Sequence, residues 1–321
     1  MIGDVMMVVG ILGAVVGTAA MLIWVERRAL GLWQDRWGPN RLWFLGIGQV
    51  VADMIKIFTK DDWVPPFADR TVFVLAPAIV MATILLAVAV VPITPHLQIA
   101  GDWNVGLLFV LAMTSLAVYS VMLGGWASNS KYAIIGAIRA TAQTVSYEVF
   151  MGLSLVGVVI QAGSFSLNDI VLAQQDGWFI GPQILGFVIF MIAALAETHR
   201  LPLDLPEAEH ELTAGFHTEY SGMKFGMFFV GEYVSVILSA SLLSVLFFGG
   251  WLGPTFGWAW MPLVWFVLKT GVFILFFILL RAAIPRPRYD QFMRFGWLVL
   301  LPLSLLNVAI TGAWVLMEAG S

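Results

Sequence analysis

Residues 197–224 hold six carboxylates (Glu197, Asp204, Glu207, Glu209, Glu211, Glu219) and three of the four histidines (His199, His210, His217). The rest of the chain is far less polar: the whole is 60% hydrophobic and only 11% charged. An acidic loop between apolar runs is either a solvated connector or a site that handles protons and cations. Pro202 and Pro206 stiffen this one. Glu207, Glu209 and Glu211 stand close enough to push one another's pKa upward. Glu197 closes an apolar helix and so stands outside the open loop. Three more charges lie inside apolar runs: Glu148, Glu232 and Lys269. Each costs about 2.5–3.5 kcal/mol near the bilayer centre, so each must pair, turn inward or lose its charge. Two readings fit: a structural Glu–Lys pair, or a proton path stepping from Glu197 through Glu232 and Glu148 to Lys269.

These groups are positioned by membrane helices. A chain of 321 residues with a mean hydropathy of +0.91 is an integral membrane protein. Eight apolar runs are long enough to span, at about 2–25, 71–91, 103–123, 137–161, 180–198, 225–248, 262–284 and 296–317. The expected fold is all-α, one polytopic domain over 1–321, with the acidic loop at 199–224 on the cytoplasmic side. Every Lys and Arg except Lys269 falls in alternate connections, which puts both termini on the non-cytoplasmic side. The run 2–25 is followed, not preceded, by Arg27 and Arg28, so it reads as an uncleaved first span. Between spans 1 and 2, residues 46–58 place Ile47, Val50, Val51, Met54 and Phe58 on one helical face and Gln49, Asp53 and Lys56 on the other. That is an amphipathic surface helix, either a plain anchor or the wall of an entrance for an amphiphile. Gly10, Gly13 and Gly17 predict close helix packing in span 1.

Some chemistry is missing from the sequence. There is no cysteine, hence no Cys-ligated cluster. The histidines fall in loops or at a helix end, away from where a membrane haem needs them. His210-Glu211 does not complete HExxH, because position 214 is Ala. Neither a phosphate-binding nor a dinucleotide-binding glycine motif occurs. The expectation is a chain without a redox centre or metal, which binds no cofactor alone and no nucleic acid.

Several motifs together resemble one family: Glu26-Arg-Arg, Arg36-Trp-Gly-Pro-Asn-Arg41, Val51-Ala-Asp-Met-Ile-Lys56, Ser128-Asn-Ser-Lys-Tyr132, Arg139-Ala-Thr-Ala-Gln143, Ser146-Tyr-Glu148, Pro206-Glu-Ala-Glu209, Glu219-Tyr-Ser-Gly-Met-Lys-Phe225 and Arg286-Pro-Arg-Tyr-Asp-Gln291. They resemble, in order and over nearly the whole chain, the H subunits of bacterial NADH:quinone oxidoreductase (complex I), the counterparts of mitochondrial NADH dehydrogenase subunit 1. The resemblance implies a subunit of the bacterial inner membrane that forms much of the tunnel for a long-tailed quinone. It implies partners too: peripheral-arm quinone-site subunits and small membrane subunits, with FMN and iron–sulfur clusters held by the former, and membrane lipid around the chain. On matching positions, Glu26, Arg27, Arg36, Asp53, Phe58, Arg139, Phe216 and Arg281 would line or brace the tunnel. Glu197, Asp204, Glu207, Glu209, Glu211 and Glu219 would form the loop cluster, and Glu148, Glu232 and Lys269 would continue into the membrane, coupling quinone reduction to proton translocation. The chain departs from the family at Leu203, where Phe is usual, and at His199 and His217, where Asn is common.

Two other classes remain at this point. An ion-coupled solute carrier would suit the intramembrane charges, but no internal repeat is visible. A passive anchor for a soluble enzyme would leave Glu148, Glu232 and Lys269 without a purpose.

Overall fold

The computed structural model describes residues 2–95, 97–99, 103–200, 202–205, 212–255 and 257–319. Among them there are helices and no strand, as the all-α expectation requires. Helix α1 runs Ile2–Trp33, α2 Gly48–Thr59, α3 Arg70–Val90, α4 Gly106–Ala127, α5 Lys131–Ala162, α6 Leu167–Leu172, α7 Ile184–Glu197, α8 Gly222–Phe247, α9 Met261–Ala283, α10 Tyr289–Phe295 and α11 Leu301–Ala319. Helix α8 is the centre of the bundle, packed by α1, α3 and α9 and buried along most of its length. Helices α3, α4, α5 and α7 pack side by side in sequence, and α11 closes against α5.

Seven of these helices are long and apolar enough to cross a membrane. The expected span at 180–198 is shorter than its apolar run: α7 has 14 residues, about 21 Å against a hydrocarbon core of about 30 Å. Gly181 and Pro182 precede its N-cap, Gln183, and end the apolar run as turns. Helix α5, by contrast, continues for 32 residues and outruns the expected 137–161. The last span, Tyr289–Glu318, contains a π-helical turn at Gly296–Leu300. Two features account for it. Pro302 has no N–H to give, and the Tyr147 hydroxyl donates to the Phe292 carbonyl at 2.9 Å.

Small residues set the closest approaches. A Cβ at Gly136 would lie 2.7 Å from Gly215 Cα, so α5 meets the loop backbone directly. The expected packing role of Gly10, Gly13 and Gly17 is not realised within the chain: a Cβ on any of them would meet nothing within 4 Å. Helix α2 is present as expected but is apolar on two sides. Val50 is buried inward, while Val51, Ile55 and Phe58 are exposed outward. Its polar Asp53 accepts from Arg27 at 2.6 Å and from Gln49 at 2.9 Å.

The expected Glu–Lys pairing is not what holds Lys269. Its ammonium donates to the carbonyls of Phe248 at 2.7 Å, Gly250 at 2.9 Å and Leu252 at 2.7 Å. Those carbonyls follow the C-terminus of α8, the negative end of the helix dipole, and three acceptors use all three ammonium protons. Gln174 completes this cap, donating to the Val245 carbonyl at 2.9 Å and accepting from the Gly249 N–H at 2.9 Å. Lys269→Met therefore strands three carbonyls. Because unpaired buried polar groups cost about 1–3 kcal/mol each, we expect a clearly lower unfolding temperature of the purified assembly; an unchanged melting curve would refute the capping role.

Candidate functional site

Glu26 lies in the last turns of α1 and is only 3% exposed. A carboxylate so enclosed needs compensating charge, and three elements supply it. Arg200, just past α7, donates to Oε2 at 2.6 Å. Arg281, in the last turn of α9, bonds Oε1. Tyr233 of α8 donates its hydroxyl to Oε2 at 2.9 Å. The Arg200 guanidinium also stacks on the Tyr233 ring, 3.9 Å from its centroid. Burial opposes the Arg200 charge, but Glu26, Tyr233 and Glu232 outweigh it and raise its pKa above the ordinary arginine value.

This cluster borders a cavity of about 800 Å³. Ile23, Leu30 and Phe229 give it apolar wall, while Arg27, Gln34 and Arg36 line its α1 side. Trp37, Gly38 and Pro39 fold back over it, held by the Arg28 guanidinium, which donates to the Pro39 carbonyl at 3.2 Å. Asp204 reaches the cavity from the acidic loop and accepts from Arg286 at 2.6 Å. Burial raises the Asp204 pKa despite that arginine.

A second, inner cavity of about 50 Å³ lies among α3, α4, α5 and α8. Thr114, Thr144, Glu197, Phe216 and Ser235 line it. His199 and Glu232 line both cavities. Beyond it, Glu148 accepts from the Ser115 hydroxyl at 3.1 Å, and its other oxygen is buried without a partner among the described residues.

The acidic loop is tied down at both described ends. The Gln143 amide donates to the carbonyls of Ala196 and Leu203, each at 2.9 Å. At the far end Lys224 pairs with Asp62 at 2.6 Å, and the Ser221 hydroxyl donates to the Asp61 carbonyl at 3.2 Å. Burial depresses His199 and His217 to about 4 each.

Comparison with known proteins identifies the family. The NADH dehydrogenase family profile matches residues 6–312. The H subunit of the NADH-quinone oxidoreductase of Methylococcus capsulatus is 63% identical over 312 residues, which cover 97% of this chain and 98% of the relative. The chain belongs to the NADH dehydrogenase family.

In this NADH dehydrogenase family member the fold gathers some of the residues singled out in the sequence and separates others. Glu26, Arg27, Arg36 and Arg281 line the large cavity, with Asp204 and Glu232. Asp53 is one contact removed, on Arg27. Phe216 belongs to the inner cavity, together with Glu197. Arg139 lies over the Tyr289 ring at 5.6 Å, away from both. Phe58 is 68% exposed on the outer side of α2. Glu219 is half-buried beyond the turn Gly215–His217. Glu207, Glu209 and Glu211 lie outside the described residues. Lys269 caps the opposite end of α8, 37 residues along the chain from Glu232. Sequence reasoning missed Arg200, Tyr233, Gln143 and Thr144. Arg200 stands next to His199 in the loop, which was the one available signal.

Two outcomes follow from this geometry. Glu26→Gln leaves Arg200 buried without its counter-charge and should destabilise the assembly by about 3–5 kcal/mol; recovery of thermal stability in Glu26→Gln/Arg200→Met would identify the ion pair as the cause, and an undisturbed single variant would exclude it. For His199 and His217, the unfolded chain takes up protons near pH 6.5 but the folded chain only near 4. Their contribution is therefore complete above about pH 6.5 and lost as pH falls towards 4. Melting temperatures across that window should decline less in the double variant His199→Asn/His217→Asn; equal slopes would contradict this.

Proposed function

We propose that the chain is a membrane-arm subunit of a proton-translocating NADH:quinone oxidoreductase, in which the large cavity forms part of the quinone path and the acidic groups couple quinone reduction to proton movement. The observation that carries this is the juxtaposition of the two cavities. A space of about 800 Å³, with arginines for a polar head and apolar wall for a tail, shares His199 and Glu232 with an inner space that holds Glu197. A passive anchor has no use for a large cavity opening beside a buried carboxylate–diarginine cluster. The family membership and the name of the 63% identical relative support the same reading.

In this reading Glu26, Arg27, Arg36 and Arg281 border the quinone path, braced by Asp53 and Arg139, and Phe216 separates it from the inner cavity. Phe58 faces the lipid from which the quinone enters. Protons move among Glu232, Glu197 and Glu148, fed by the loop carboxylates Asp204, Glu207, Glu209, Glu211 and Glu219. Lys269 closes the far end of α8 as a cap, and any coupling role passes through that cap. FMN and iron–sulfur clusters belong to peripheral-arm partner subunits, which cover the acidic loop, while smaller membrane subunits and lipid flank the bundle. Residues 1–321 form one polytopic unit in the bacterial inner membrane. Helix α7, with the turns that precede it, completes an eighth crossing, so that both termini lie on the non-cytoplasmic side.

The test compares NADH oxidation by ferricyanide, which draws electrons upstream of quinone, with NADH oxidation by quinone, in membranes carrying Glu197→Gln or Glu211→Gln. Each variant should keep the ferricyanide rate and lose about a hundredfold in the quinone rate, the lower end for a displaced acid–base group. Both rates intact in both variants would reduce the acidic groups to a solvated connector.

A further inference from the structure

His199 and Glu232 are the two described residues that line both the outer and the inner cavity. Glu232 adds charge that favours the Arg200 guanidinium. His199 is held differently. Its backbone is left-handed, with φ 47°, a conformation that costs energy for a residue with a side chain and persists where surroundings enforce it. The ring nitrogen Nε2 lies 3.1 Å from Thr144 Oγ1. Thr144 uses its own hydroxyl proton on the Ala140 carbonyl, at 3.0 Å. With its proton on that carbonyl, the threonine oxygen can accept from His199 in the tautomer that carries the proton on Nε2 and the lone pair on Nδ1. Thr144 lines only the inner cavity, so the Nε2 contact lies on that side of the ring.

We propose that His199 is a proton relay between the two cavities, taking a proton at Nδ1 from the outer cavity and releasing the Nε2 proton through Thr144 towards Glu197. This deepens the function proposed above and rests on it. The proton count closes: the neutral ring becomes imidazolium, the Thr144 hydroxyl turns its own proton from the Ala140 carbonyl to water in the inner cavity as Oγ1 receives the Nε2 proton, and that water carries a proton to Glu197. The inner volume of about 50 Å³ has room for such water, and the Thr114 hydroxyl holds the Glu197 carboxylate there. The ring recovers its starting tautomer by exchange through the same water.

The surroundings suit a group that passes a proton without keeping it. Burial lowers His199 to about 4, so the ring is neutral at working pH and a proton it takes up is readily passed on. The charged groups facing this region are Glu26 and Arg27 from α1, Arg36 from the turn after it, Glu232 from α8, Arg281 from α9, and Glu197, Arg200 and Asp204 from its own segment. Helix α5 presents Thr144 and no charge. Asn in place of His199 would accept the left-handed backbone and could bond Thr144, but it cannot relay a proton.

The experiment uses membranes containing the assembled complex, with quinone-linked NADH oxidation divided by the ferricyanide rate so that only assembled enzyme is scored. His199→Asn should slow the quinone-linked rate several-fold and enlarge its solvent isotope effect in D2O. His199→Gly, which also suits the backbone, should be slow and regain activity with millimolar imidazole but not with 1-methylimidazole, which fills the same space yet cannot take a proton at one nitrogen and release one from the other. Repair by both solutes, or by neither, would assign His199 a packing role and overturn the proposal. Glu197→Gln, run alongside, separates the two levels. If it slows turnover while His199→Asn does not, the relay alone is refuted. If neither slows turnover, the coupling function falls with it.

Discussion

A carboxylate cannot stay charged inside a membrane bundle unless its lost hydration is replaced, and Glu26 is where this fold meets that demand most heavily. Two guanidinium groups and a phenol converge on it from α7, α8 and α9. Each of those groups is itself a problem for the bundle alone, since Arg200 is buried and the Tyr233 ring lies against it. Together they are mutually compensating. Because the four members come from four separate stretches of chain, the cluster fixes where the helix ends stand relative to one another. The large cavity is the space left beside that fixed point.

Around it the architecture works from the edges. The amphipathic helix is fastened at its middle by Arg27 and Asp53, and the segment after it by Lys224 and Asp62. Gln143 draws the two sides of the acidic loop's base together. The cavity wall combines residues near helix ends with Phe229, Glu232 and Tyr233 of α8, whose later turns are buried packing. Small residues on α5 let the loop backbone lie against the helix without a layer of side chains between. This brings His199 within reach of Thr144.

Much of the fold was legible because it follows from run length: apolar stretches long enough to span, interrupted by charge, leave little choice in a membrane. The short α7 was legible too, in Gly181 and Pro182, though the apolar composition around them masked it. The site was less so. Glu26, Arg27, Arg36 and Arg281 stood out through family motifs and not through any spacing. Arg200 and Tyr233 meet Glu26 across 174 and 207 residues, and no local pattern marks such contacts. Lys269 shows a different limit. A buried lysine announces that it needs acceptors, and the sequence offers carboxylates as candidates, but the backbone carbonyls of a helix end satisfy it without leaving a trace in residue types. The two-sided exposure of α2 was hidden for a related reason: periodicity separates apolar from polar faces, but it does not say which apolar residues meet the bundle.

The π turn at Gly296–Leu300 amounts to one extra residue in an otherwise continuous rod. One residue corresponds to about 100° of rotation about a helix axis, so the turn sets the angular phase between the two halves of the last span. The first half aims Phe292 at the Tyr147 ring, stacked at 4.4 Å. The second aims Asn307 and Thr311 at Gln183, with hydrogen bonds of 3.0 Å and 2.7 Å. A straight α-helix of the same sequence could satisfy one of these partners or the other. The span is therefore intolerant of a single-residue insertion or deletion between 293 and 306, even where the change is apolar and leaves its length sufficient to cross the bilayer.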